Sequence, residues 1–113
     1  MKTRIVLSDP LKRDPHILRQ IDSKLKITLT RYSPLIEKIL VKLEQEHDTI
    51  SDTVTRCRIK IVMKNNVSPV ETVTTMPDET DAFDHCLSRT RRTLFRRVAI
   101  NGLKNRPLQY GQV

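Results

Sequence analysis

The sequence predicts an α+β fold of order β-α-β-β-β-α: a four-stranded, mostly antiparallel sheet with two helices packed on one face. Three observations predict it. The apolar period alternates between two residues and about 3.6 residues in that order along the chain. Six prolines, Pro10, Pro15, Pro34, Pro69, Pro77 and Pro107, fall where element boundaries belong; proline fixes φ and lacks an amide donor, so each cuts an element. A length of 113 residues with 37% hydrophobic and 30% charged residues suits one domain with a modest core.

Residues 3–8 (TRIVLS) alternate, with Ile5 and Leu7 on one face, as a short first strand. Asp14-Pro15 reads as an N-cap followed by proline at the first helical position. Ile17, Leu18, Ile21, Leu25 and Leu29 then carry an amphipathic helix to Tyr32, before Ser33-Pro34. Residues 36–45 place Ile39, Val41 and Leu43 on one side and Lys38, Leu40 and Lys42 on the other. Residues 55–64 put Cys57, Ile59, Ile61 and Met63 inward and Arg56, Arg58, Lys60 and Lys64 outward. The intervening 46–54 reads as a polar loop. Asn65-Asn66 signals a turn, and 70–76 (VETVTTM) is β-branched like a fourth strand. A second helix runs from about Asp78 to Ile100, with Phe83, Cys86, Leu87, Thr90, Leu94 and Val98 on one side. The right-handed crossover rule makes the first two strands parallel if adjacent, and the rest an antiparallel meander. Residues 1–100 thus form a single domain, and 101–113, with Gly102, Pro107 and Gly111, an irregular tail.

Several functions are disfavoured by what the chain contains. No apolar run approaches the ~20 residues of a membrane span. The stretch in MKTRIVLSDPLKR is too short for a signal peptide, so a cytoplasmic location is expected. Cys57 and Cys86 both sit in apolar phase and read as reduced core thiols. Without a CxxC, a zinc site or other metal is not expected. Two glycines cannot build a phosphate-cradling loop or a dinucleotide fingerprint. His16, His47 and His85 are scattered, and Asp78, Glu79, Asp81 and Asp84 suit the start of a helix better than a catalytic pair. No nucleophile has an activating partner. The expectation is a non-enzyme with no cofactor and no small-molecule substrate.

Charge is the positive signal. Residues 1–87 carry 14 Lys/Arg against 13 Asp/Glu, whereas residues 88–113 carry seven Lys/Arg and no acid. On the second helix His85, Arg89, Arg92 and Arg96 form one outward stripe at i, i+4, i+7 and i+11, with Arg91 and Arg97 flanking the core side. A solvated helix face explains the order of the charges, acids first, but not the missing acids, since solubility faces mix signs. Arg19, Ser23, Lys26 and Thr30 share an outer face of the first helix, with Lys24 and Arg31 on an adjacent one. A secondary basic patch, Lys38, Lys42, Arg58 and Lys60, lies on the other side of the sheet, where polar residues are the rule anyway. The predicted RNA-binding set is therefore Arg89, Arg92, Arg96, Arg97, Arg19, Lys26 and His85. With four aromatics in all, and Tyr32 and Phe83 reading as structural, base stacking is disfavoured. Phosphate contacts on a folded RNA fit better.

Those residues, in that order, resemble a known family. The Arg31-Tyr32-Ser33 helix end entering a strand, the Thr55-Arg56-Cys57-Arg58-Ile59-Lys60-Ile61 strand, and the acid-led, arginine-rich final helix look like the ribosome hibernation-promoting factor and ribosome-associated inhibitor family, also called sigma-54 modulation proteins. The resemblance spans roughly residues 3–100. It implies binding in the mRNA/tRNA channel of the small ribosomal subunit, through rRNA, during stress or stationary phase. It maps the family's helix-borne basic residues onto Arg89, Arg92, Arg96 and Arg97, with Arg19 and Lys26. Long members carry a second domain that pairs ribosomes, and such pairing is not expected of this chain alone. Two other readings stay open: a general double-stranded RNA binder, and a protein-interaction module that modulates transcription.

Overall fold

Alternation in the strands and the single apolar face of each helix meet in one core. The computed structural model describes residues 2–12, 14–47 and 53–105. Its elements are β1 (Lys2–Leu7), α1 (Asp9–Lys12), α2 (Pro15–Leu29), a 3-10 helix (Thr30–Leu35), β2 (Ile36–His47), β3 (Thr53–Met63), β4 (Val70–Met76) and α3 (Glu79–Asn105). The sheet order is β1-β2-β3-β4, with β1 parallel to β2 and the remaining pairs antiparallel. That is the predicted fold and strand arrangement.

Register fixes the faces. Ile5 pairs with Val41, Val41 with Ile59 and Ile59 with Thr72, and Val41, Ile59 and Thr72 are buried. One step along, Arg4, Leu40, Lys60 and Glu71 form the neighbouring row, which the pleat turns to the opposite face. The buried side receives Ile21, Leu25 and Leu29 of α2 and Phe83, Cys86, Leu87 and Leu94 of α3. Each fully buried Leu or Ile contributes about 1.5–3 kcal/mol of transfer free energy.

Local chemistry sets the boundaries. Asp14 caps α2, its Oδ1 accepting from the His16 amide at 2.9 Å, and Pro15 opens the helix. Asp78 does the same for α3: its Oδ2 accepts from the Asp81 amide at 3.0 Å. Asn65 and Asn66 both take φ near +60°, at 61° and 59°, in a turn closed by the Val67 amide donating to the Lys64 carbonyl. Asparagine tolerates that left-handed conformation better than other β-carbon-bearing residues.

Four boundaries differ from the sequence reading. A single turn, α1, follows β1 and buries Leu11 at 2% exposure; one turn has no measurable period. The α-helix stops at Leu29, and 30–35 tighten to 3-10 geometry that carries Pro34 into β2. Strands β2 and β3 run on to the His47–Thr53 pair, so 46–47 and 53–54 of the expected loop belong to the hairpin ladder, and 48–52 lie outside the described residues. Finally, α3 continues past Ile100 to Asn105. Of the expected irregular tail, 101–105 are helical and 106–113 lie outside the described residues.

Cys57 and Cys86 are free and buried where β3 meets α3. The Cys86 thiol donates to the Thr72 and Cys57 carbonyls, at 3.3 and 3.5 Å. No helix among the described residues is long and apolar enough to cross a membrane.

Candidate nucleic-acid interface

Because β1, β2, β3 and β4 place α2 and α3 on the same face, the two helices lie side by side. Lys24 of α2 bridges Asp84 of α3 at 2.8 Å, and Ile17, Ile21 and Phe83 border the same seam. Beyond that contact the 3-10 helix and the middle of α3 open into a groove of about 620 Å³. Arg31, Tyr32, Arg89, Arg91, Arg92, Thr93, Phe95 and Arg96 line it. The Arg31 guanidinium lies 5.5 Å from the Tyr32 ring centroid, a cation–π contact that steadies both.

Several basic residues outside the groove are ion-paired. Lys26 pairs with Asp22 at 2.9 Å, Lys42 with Glu44 at 2.9 Å, Arg56 with Glu46 at 3.3 Å and Arg58 with Glu71 at 3.7 Å. Lys42 holds the Glu44 carboxyl below its usual range, chiefly by their hydrogen bond. Among the described residues, Arg91, Arg92 and Arg96 have no carboxylate partner, and no acid lines the groove. Unopposed guanidinium groups on a rigid helix are a ready anion site, each presenting a fixed fork of donors.

The predicted set divides. Arg92 and Arg96 are exposed and stand in the groove wall, as does Arg89, while His85 is exposed on the same helix. Arg89, however, donates to the Val73 carbonyl at 3.0 Å and to Thr74 Oγ1 at 3.3 Å. Arg97 donates to the Ser68 carbonyl and, at 3.3 Å, to that of Pro69. Arg89 reaches the edge strand β4 and Arg97 the segment just before it, where main-chain carbonyls would otherwise stand open. Arg19 is exposed on α2 outside the groove lining. Lys38, Lys42, Arg58 and Lys60 share the uncovered sheet face with Arg4, and a smaller depression of about 350 Å³ there includes Glu71. The carboxylates of Glu44, Glu46 and Glu71 dilute its charge.

Sequence reasoning left five groove residues outside its set: Arg31, Tyr32, Arg91, Thr93 and Phe95; Arg91, expected to flank the core side, is exposed in the groove wall. A usable signal existed for Phe95. It interrupts the arginine run at a position outside the apolar face, and its side chain is 58% exposed.

No family model matches the chain, and no curated protein does. Among solved structures, the crystal structure of the Thermus thermophilus Protein Y N-terminal domain is similar to it. The two are 17% identical with a TM-score of 0.62, and the match covers 85% of this chain and 98% of that one. At this identity the likeness is one of architecture: the chain has the fold of the Protein Y N-terminal domain.

Proposed function

We propose that this protein is a ribosome-associated translation inhibitor. It binds rRNA in the mRNA/tRNA channel of the small subunit, in the cytoplasm and under stress, as the hibernation-factor resemblance implies. The observation that carries the reading is the acid-free cluster of Arg31, Arg91, Arg92 and Arg96 on two docked helical elements. Its four cations share one groove whose lining holds no carboxylate, whereas the cations of the open sheet face are interleaved with Glu44, Glu46 and Glu71; such an unmixed cluster suits a polyanion. The likeness in fold to the Protein Y N-terminal domain supports the same family at the level of architecture.

The mechanism is occupation rather than chemistry. Helix α3 spaces its guanidinium groups at set intervals, to match phosphates held at set positions in a folded RNA, and cations on a loose chain would lose more entropy on binding. A bound domain excludes mRNA and tRNA by bulk. Arg19, Lys26 and His85 extend the contact along the outer helix faces, and Arg89 and Arg97 contribute positive field from the β4 edge.

The test is cosedimentation with purified small subunits. Arg92→Glu/Arg96→Glu should abolish binding while circular dichroism stays unchanged, since both side chains are exposed. Wild-type-like cosedimentation of that variant overturns the assignment. Equal affinity for plain duplex RNA would favour a general double-stranded RNA binder, and nuclease-resistant pulldown a protein partner.

A further inference from the structure

Phe95 is the groove's unexplained residue. More than half of its side chain is exposed, although its neighbours Leu94 and Val98 turn toward the core. Leaving an aromatic ring in water forgoes burial that would otherwise stabilise the fold. The surrounding arginines do not cover it either: the one cation–π contact among the described residues is Arg31 over Tyr32. A free aromatic face thus stands between Arg91, Arg92 and Arg96, inside a concavity of about 620 Å³. That volume lies within the ~300–1,000 Å³ of sites that enclose a small organic group.

We infer that the groove takes one unpaired nucleotide of an RNA chain, its base stacked on Phe95 and its flanking phosphates held by Arg91, Arg92 and Arg96. The chemistry favours this occupant over a duplex. In a duplex both faces of each base are already stacked, and only phosphates and groove edges remain to be met. An extruded base offers the π-face that an open phenyl ring can engage, and its two phosphates supply the charges the arginines lack. Stacking does not depend on base identity, so sequence preference should be weak. The inference rests on the proposed RNA-binding role and adds to it a contact that phosphate recognition alone does not require.

Three probes test it: a five-nucleotide adenine RNA, an abasic chain of the same length and charge, and adenosine monophosphate alone. The chain has no tryptophan, so Phe95→Trp supplies a single fluorescent reporter. The adenine RNA should bind the wild type about 10-fold more tightly than the abasic chain, and it should quench the indole emission of the Phe95→Trp variant. Phe95→Ala should erase that difference in affinity without changing binding of the abasic chain, and circular dichroism should confirm its fold. Adenosine monophosphate should bind weakly, marking the chain phosphates as necessary. Equal binding of the two pentamers by the wild type, or unquenched emission with RNA bound, overturns the inference; so does tighter binding of the monophosphate, which would make the site one for a free nucleotide. Cosedimentation of Phe95→Ala keeps the two levels apart. If Phe95→Ala and wild type bind small subunits equally while Arg92→Glu/Arg96→Glu does not, stacking fails and the ribosomal role stands. If the wild type itself does not cosediment, the ribosomal role fails.

Discussion

The guanidinium of Arg89 donates to the main-chain carbonyl of Val73 across 3.0 Å, tying the arginine-rich helix to the rim of the sheet. Arg97 repeats the tie to the Ser68 and Pro69 carbonyls two turns later. Strand β4 is an edge strand, and a bare edge is a template for pairing with another chain. The helix therefore commits one cation to that edge and one to the segment leading into it, while Arg91, Arg92 and Arg96 keep no carboxylate partner among the described residues.

Replacing Arg89 with Met should lower stability by about 1 kcal/mol, the scale of one net hydrogen bond, with a melting shift of roughly 4 °C. Arg89→Met/Arg97→Met should also aggregate faster on heating. Scanning calorimetry and light scattering read the two effects. A double variant with unchanged melting and scattering would leave these contacts without a structural role.

Binding to small subunits should weaken steeply with salt. Each phosphate neutralised contributes about 0.7–0.9 to the slope of log affinity against log salt concentration. Arg92→Gln should reduce that slope by about one unit, because it removes one contact, whereas Arg89→Gln should reduce it less. A salt-independent affinity would point to an uncharged, protein-type interface.

The two thiols should be inert in the native state. Hydrogen bonding with Cys86, and then burial, push the Cys57 thiol up, whereas hydrogen bonding with Cys57 holds the Cys86 thiol down; it is the burial of both that keeps reagent from them. Alkylation at about pH 8, near the ordinary thiol range, should proceed only as fast as the protein opens, and denaturant should make both sulfurs react at once. Native labelling within seconds would show that β3 and α3 part readily.

Much of this architecture is legible in the sequence because its signals are periodic. Cys57, Ile59, Ile61 and Met63 alternate, and all are buried. Phe83, Leu87, Thr90 and Leu94 repeat at helical spacing and are buried too. Leu11 is hidden from such a reading, since its helix is one turn long. The arginines are harder for a different reason. A helical wheel gives the direction of a Cβ atom, but an arginine side chain is long enough to turn back, as Arg89 does to reach Val73. Nor can spacing along one helix reveal a groove made by two elements. Arg31 and Tyr32 meet the arginines of α3 only because the parallel β1–β2 crossover sets α2 beside α3.

The distribution of charge along α3 gives the molecule an electrical handle. Asp78, Asp81 and Asp84 stand at one end of the helix and Arg91, Arg92 and Arg96 well along it, in an element about 40 Å long. The peptide dipole points the opposite way and offsets part of this separation, but it amounts to only about half a charge at each end. The side chains outweigh it. In the field of a large polyanion the protein would feel a torque before any contact forms, turning the arginine end forward and the acidic end away. Encounters would then begin in nearly the docked orientation, and the search for the right face would be shortened before it starts.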